Sequence, residues 1–379
     1  MARHVILVIP RDMPEWQVRE AYALIESAEY SLWEIIRFRK RGAGRISDAK
    51  IDEIKKAVKR SNGVEKIIVY DSVPPSTMFK IMEATGVEAI DRTMLILEIF
   101  ALHAGSREAK LQIELAQLKH RLPLVREAIR RAKLKELPGF LGPGAYAIDK
   151  YYSYMISRIA RIKRELEALR RRREEERRRR RRMGLPHIAI TGYASAGKTS
   201  LFNKLAKEAK PVGEEYFTTL SPKKKGVIIE GYKAILIDTV GFIANIPPEL
   251  IEAFHATLEE AALSDIIIFV LDISDEDKIA LYKLREGLSI LRRLGVSGIP
   301  LVILLNKIDL IKGKLGIKTN LFFYKEASSI YPPVSCIVAA SAKTGEGLEV
   351  LKKCLGSLIK SMEKSTYYAS AIGLRGIRG

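Results

Sequence analysis

Over the first quarter of the chain, short apolar runs alternate with helical patterns. Extended runs fall at His4 to Pro10, Leu32 to Phe38, Glu65 to Asp71 and Val87 to Ile90. Between them, apolar positions recur at helical spacing near Trp16 to Ala28, Ser47 to Arg60 and Ser76 to Gly86. Strands that alternate with helices pair in parallel, because each parallel neighbour needs a crossover to return the chain. The period then changes. Leu111, Leu115, Leu118, Leu122, Val125, Ile129 and Ala132 are spaced 4-3-4-3-4-3, the seam of a helix packed on one partner, with a kink expected at Pro123. After the Gly/Pro-rich break Leu137 to Gly144, a second seam runs through Tyr152, Met155, Ile159, Ile162, Leu166 and Leu169. Two matched seams and one loop predict an antiparallel helical hairpin, each arm ~25 to 30 Å long at ~1.5 Å per residue.

From His187 onward a second alternation begins. Strands are expected at His187 to Thr191, Gly226 to Glu230, Lys233 to Asp238, Ile266 to Asp272, Leu301 to Asn306 and Ser335 to Ala339. Only Gly231-Tyr232 separates the second from the third, so that pair is an antiparallel hairpin in an otherwise parallel sheet. The pattern divides the chain into an α/β domain over 1–109, a helical hairpin arm over 110–182, a second α/β domain over 183–361 and a tail over 362–379 without clear period.

Composition narrows the partners. The 379 residues carry 65 Lys+Arg against 45 Asp+Glu, net +20, an excess that suits a polyanion, whether nucleic acid or an anionic membrane surface. Between Tyr151 and Arg182 stand 14 Arg/Lys and 5 Glu. Within the run Arg170 to Arg182, pairs such as Arg170/Glu174 and Glu174/Arg178 at i,i+4 support a helix. A solvated helix is one reading. The six cations Arg177, Arg178, Arg179, Arg180, Arg181 and Arg182 favour the other, contact with RNA phosphates. Tyr151, Tyr152 and Tyr154 fall at alternate seam and flank positions, where packing is favoured over base stacking. The chain has no run of about 18 apolar residues, and its start lacks an apolar signal region, so membrane insertion and secretion are not expected. Cys336 and Cys354 form neither a disulfide framework nor a metal cluster, which suits a reducing cytoplasm. Histidines 4, 103, 120, 187 and 255 have no ligand spacing.

The chemistry lies in the second α/β domain. Gly192-Tyr193-Ala194-Ser195-Ala196-Gly197-Lys198-Thr199, continued by Ser200, matches G-x-x-x-x-G-K-[ST] between a strand and a helix. Such a loop aims backbone N–H groups at phosphate oxygens, while Lys198 reaches the β and γ phosphates and Thr199 ligates Mg²⁺. Asn306-Lys307-Ile308-Asp309 reads as N-K-x-D. A carboxylate at Asp309 accepts from guanine N1–H and the 2-amino group, whereas adenine would leave it unpaired. Asn306 would brace the loops, Lys307 would lie along the base, and Ser341-Ala342-Lys343 would offer the Ala342 N–H to guanine O6. Asp238-Thr239-Val240-Gly241 fits D-x-x-G, with Asp238 orienting Mg²⁺ through water and the Gly241 N–H sensing the γ phosphate. Phe217-Thr218-Thr219 lies where a switch threonine is expected, with Thr219 as the Mg²⁺ and γ-phosphate ligand. Lys198, Thr219 and Gly241 form the expected catalytic set. The water-orienting Gln that often follows D-x-x-G is replaced by Phe242, so intrinsic hydrolysis should be slow.

These motifs resemble those of the HflX family of translation-factor-related GTPases. Asp238 to Ile243, then Pro247, Leu250, Ala253-Phe254 and Thr257-Leu258-Glu259-Glu260, are similar to a long run of that family. Ile90-Asp91-Arg92-Thr93 with Leu95-Ile96-Leu97, and Lys110-Leu111-Gln112 with Glu114 to Leu118, resemble its N-terminal signature. The resemblance implies a small parallel α/β domain with a projecting antiparallel helical hairpin, then a Ras-like P-loop G domain. It also implies binding of GTP and GDP and GTP-dependent binding to the large ribosomal subunit and its rRNA, with subunit splitting or rescue as the role. Gly142 and Gly144 of the tip loop join the arginine run as expected RNA contacts. A cytoplasmic monomer is expected; the competing expectations are a GTPase acting on another RNA and a scaffold that binds nucleotide at an RNA or membrane surface with little turnover.

Overall fold

The computed structural model describes residues 3–39, 46–61, 63–71, 73–104, 106–133, 144–181, 185–206, 223–239, 241–242, 263–293, 296–311 and 317–371, and all structural statements concern these. They fall into two compact units, one up to Arg172 and one from Arg173 onward.

The first unit is built on a parallel sheet of β1 (Arg3–Pro10), β2 (Tyr30–Phe38), β3 (Lys66–Val69) and β4 (Glu88–Asp91), in the order β2-β1-β3-β4. Val5 to Ile9 of the central strand are fully buried, because helices cover both faces. Alternate residues Ile6, Val8, Ile67 and Val69 join Ile54 of α2 (Asp48–Arg60) and Phe79 of α3 (Pro75–Thr85) in one core. Helix α1 (Glu15–Ser27) packs with α4 (Arg92–His103). Helix α4 was not anticipated: residues 94–97, 99 and 100 are all buried, so its sequence shows no polar face and no helical period.

The two long helices are α5 (Arg107–Lys133), assigned helical through Pro123, and α6 (Gly144–Arg181). Ion pairs and hydrogen bonds fix them antiparallel. Arg107 meets Glu165 at 3.0 Å, Arg158 makes two bonds of 2.6 and 2.7 Å to Glu114, and Arg126 reaches Tyr152 at 3.2 Å. Helix α5 also packs on α3 and α4, so Ile113, Ala116 and Ala128 are buried beyond the expected seam. The Asp91-Arg92 pair of the signature is structural: Asp91 caps α4 by accepting from the Met94 N–H at 2.9 Å and meets His120 at 2.8 Å, and Arg92 donates to Glu20 at 2.6 Å.

The second unit holds β5 (His187–Gly192), β6 (Lys223–Ile229), β7 (Tyr232–Asp238), β8 (Ile266–Asp272), β9 (Leu301–Asn306) and β10 (Val334–Ala339). Their order is β10-β9-β8-β5-β7-β6, parallel except for β6 against β7, as the two-residue connection requires. The flanking helices are α7 (Lys198–Ala206), α8 (Asp277–Arg293), α9 (Ile317–Ile330) and α10 (Leu348–Ala371). Two expectations are corrected. Helix α10 continues through residues read as a tail. Cys336 of β10 and Cys354 of α10 are joined by a disulfide, a pairing that their separation of 18 residues does not reveal. Among the described residues no helix is long and apolar enough to cross a membrane.

Candidate nucleotide-binding site

Parallel strands put their carboxyl ends on one edge, and in sheets of this kind ligands bind outside that edge. Gly192, Asp238, Asp272 and Asn306 end β5, β7, β8 and β9 there. The strand register is direct, with Ile190 beside Asp238 and Asp272 beside Asn306. The loop from Gly192 to Lys198 therefore turns tightly into α7. Gly197 takes φ +96°, and a Cβ there would sit 2.2 Å from Asn306 Nδ2, so only glycine lets the loop close on β9. Ser195 is also left-handed at φ 58°, and such backbone turns N–H groups toward one point.

Lys198 lies across this loop, 7% exposed, with its ammonium donating to the Tyr193 carbonyl at 2.6 Å. Burial pushes that ammonium down to about 8, opposed by the nearby Asp238 carboxylate. Thr199 Oγ1 donates to Asp238 Oδ2 at 3.1 Å, and Asp238 and Thr239 are fully buried. A hydroxyl beside a buried carboxylate is the hard-oxygen donor set that Mg²⁺ takes together with phosphates. Gly241 packs on the loop, where a Cβ would fall 2.6 Å from Lys198 Nζ and 2.9 Å from the Ala194 nitrogen. Phe242 is tied down next to it: its N–H donates to the Gly192 carbonyl at 2.9 Å, and its carbonyl accepts from the Ala194 N–H at 2.6 Å. Its ring is 1% exposed and stacks on Phe269.

Asn306 joins three loops. Its Nδ2 donates to the Ala196 carbonyl at 2.7 Å, and its Oδ1 accepts from the Ala342 N–H at 2.8 Å. The bracing expected of Asn306 is therefore present, but the Ala342 N–H meets Asn306 in this structure. Ser341 is buried, its hydroxyl accepting from the Thr344 N–H at 3.1 Å, while Lys343 and Asp309 are exposed, Asp309 in the turn Ile308–Leu310. Sequence reasoning missed Asp272, whose carboxylate pairs with Lys307 at 2.7 Å. The signal was there, since Asp272 ends an apolar strand as Asn306 does, yet nothing local ties it to Lys307. Phe217, Thr218, Thr219, Val240, Gly142 and Arg182 lie outside the described residues; Gly144 opens α6, and Arg177 to Arg181 are on that helix.

A phosphate loop, a threonine hydroxyl on a buried aspartate and an Asn-Lys-x-Asp loop on the carboxyl edge of one sheet define a P-loop protein of the GTPase class. Comparison narrows the class. Residues 15–101 match a family described as GTP-binding GTPase N-terminal, 103–180 the GTP-binding GTPase Middle Region, and 187–307 the 50S ribosome-binding GTPase. Over 364 residues the chain is 56% identical to the GTPase HflX of Hyperthermus butylicus, covering 95% of this chain and 97% of that one. It is 38% identical over 334 residues to the GTPase HflX of Saccharolobus solfataricus, covering 88% and 93%. Its structure matches a GTP-binding protein from Sulfolobus solfataricus solved in complex with GDP, at 32% identity and TM-score 0.55, over 96% of this chain and all of that one. The chain belongs to the HflX family of GTPases.

Proposed function

We propose that this protein is a ribosome-associated GTPase that binds GTP with Mg²⁺, hydrolyses it slowly to GDP and phosphate, and uses the switch to bind the large ribosomal subunit through rRNA. The observation that carries the nucleotide reading is Asn306, which holds the phosphate loop and the Ala342 loop against the Asp309 turn. Residues 183–361 carry the nucleotide chemistry on this reading, and residues 1–109 with the arm 110–182 face RNA. The backbone N–H groups of Tyr193 to Ser200, aided by the N-terminus of α7, cradle the phosphates. Lys198 is moved from the Tyr193 carbonyl onto phosphate oxygens. Thr199 and Asp238, with Thr219, would hold Mg²⁺, which when bound neutralises charge on the β and γ phosphates. Asp309 selects guanine, Lys307 is steadied by Asp272, and Gly241 with Thr219 reports the γ phosphate. Support for the ribosomal partner comes from the family to which residues 187–307 belong and from the arginine run on α6.

Single-turnover GTP hydrolysis, measured alone and with large ribosomal subunits, tests this reading. Stimulation by subunits that disappears for GTP in Asp309→Asn is expected. A rate indifferent to subunits, with tight GTP binding intact, would overturn the ribosomal part and favour the scaffold reading, for which the buried Phe242 side chain speaks.

A further inference from the structure

Helix α6 carries an aromatic surface that the nucleotide chemistry does not use. Its inner side is the hairpin seam, where Met155, Ile159 and Ile162 are buried. Tyr152 belongs to that side, since its hydroxyl accepts from Arg126 and its ring lies 5.8 Å from the Arg126 guanidinium carbon. Tyr151 and Tyr154 do not pack in this way. They are 44% and 59% exposed, and their rings stack on each other with centroids 6.5 Å apart and planes within 24°. Two of the three tyrosines that the seam pattern assigned to packing are thus exposed.

The surroundings say what such a surface fits. Lys150, Tyr154, Ser157, Arg161 and Arg164 follow one another at helical spacing, and all are exposed, so they form one stripe along α6. A protein-binding hot spot would set its aromatics among exposed apolar side chains; here the helical neighbours of Tyr154 are Lys150, Tyr151, Ser157 and Arg158, and the apolar neighbours of Tyr151, Ile148 and Met155, are buried. The same helix bears the exposed cations Lys150, Lys163, Arg164 and Arg170, a charge of the kind that attracts a phosphate backbone, and its sequence continues into the arginine run to Arg181. Unpaired bases of RNA loops stack on exposed aromatic rings beside such cations, whereas duplex RNA offers no free base face.

We propose that Tyr151 and Tyr154 form a base-stacking platform for unpaired nucleotides of an RNA loop, guided onto it by the cations of α6. The proposal deepens, and rests on, the reading of the arm as the RNA-facing part. It is tested with the full chain carrying Tyr151→Ala with Tyr154→Ala, against Tyr151→Phe with Tyr154→Phe, using a short single-stranded oligoribonucleotide, its duplex, and large ribosomal subunits over a range of salt. Alanine is a strong helix former, so helix content by circular dichroism should be unchanged. The expected result is single-strand and subunit binding weakened about fivefold or more per ring in the alanine pair. The salt slope stays constant, because no phosphate contact is lost. The phenylalanine pair should bind like the parent, and duplex binding should not respond. Equal affinity of the alanine pair and the parent for both single strands and subunits would overturn the platform, as would equal losses in the alanine and phenylalanine pairs. The two readings fail separately. Ring-dependent RNA binding with subunit-indifferent hydrolysis sinks only the ribosomal one, and subunit-stimulated hydrolysis with ring-independent binding sinks only the platform.

Discussion

The buried ammonium of Lys198 makes nucleotide affinity depend on pH in a calculable way. Burial lowers it from 10.5 to about 8, and that difference corresponds to about 3 kcal/mol favouring the neutral amine in the free protein. The lowered value means that between pH 8 and 10.5 the unfolded chain holds a proton that the free native protein lacks, so native stability rises with pH across that window. Below pH 8 the full penalty is present. Lys198→Met should therefore stabilise the free protein at neutral pH by up to about 3 kcal/mol while removing phosphate binding. Binding works in the opposite sense. A diphosphate favours the ammonium, so above pH 8 GDP binding must take up a proton and weaken up to tenfold per pH unit. Isothermal titration of GDP in buffers of different ionisation heat reads this uptake directly. With Lys198→Arg subtracted, which cancels the titrations of the phosphate and of guanine, the protein should take up about half a proton at pH 8 and approach one at pH 9. No difference between the parent and Lys198→Arg at pH 9 would refute the reasoning.

Asn306→Ala leaves the Ala196 carbonyl and the Ala342 N–H without their partner, and at about 1–3 kcal/mol per buried group it should cost about 2–6 kcal/mol in urea denaturation of the nucleotide-free protein. A loss below about 1 kcal/mol would show that the three loops are held by something else. The Cys336–Cys354 bond closes a loop around Ser341-Ala342-Lys343. Reduction, or Cys354→Ser, should remove about 3 kcal/mol of stability and speed GDP release, and thermal melts unchanged by reductant would contradict it.

What the sequence disclosed and what it hid separate along a physical line. The phosphate-loop and N-K-x-D motifs at Gly192 to Thr199 and Asn306 to Asp309 stand out because the roles proposed for them demand fixed residue types at fixed spacing, and the strands before them were legible because each is a continuous apolar run. The β6–β7 reversal was legible because two residues cannot cross a sheet. Pairings across the fold were not: Asp272 with Lys307, Asp91 with His120 and Cys336 with Cys354 become neighbours only once strands and helices pack. Helix α4 escaped because its middle, Met94 to Leu97 with Ile99 and Phe100, is apolar and buried, and such a run lacks the polar face that marks a period. Tyr151 and Tyr154 were misjudged for a related reason. Seam spacing says which side of a helix is inward but not how wide that side is, and the inner face of α6 ends at Tyr152.

The geometry around Phe242 decides where the attacking water is not aligned. In an enzyme that uses the residue after D-x-x-G for this purpose, the side chain there reaches into the site beside the γ phosphate. Here the ring is in the core against Phe269, and a Cβ on Gly287 would fall 3.5 Å from it, so the pocket on that side is full. Both backbone groups of Phe242 are committed to the phosphate loop, through Gly192 and Ala194. Turning the side chain outward would remove an aromatic ring from the core, a loss of about 3 kcal/mol or more before any chemistry is gained. Residue 242 is thus a strut that keeps Gly241 against Lys198 and Ala194 rather than a catalytic group. The same two hydrogen bonds make the strut and the phosphate loop move together, so a group that orders the loop also orders Gly241. The alignment of water then falls to a residue elsewhere in the chain or to a surface the protein binds, which is the difference that hydrolysis with and without ribosomal subunits measures.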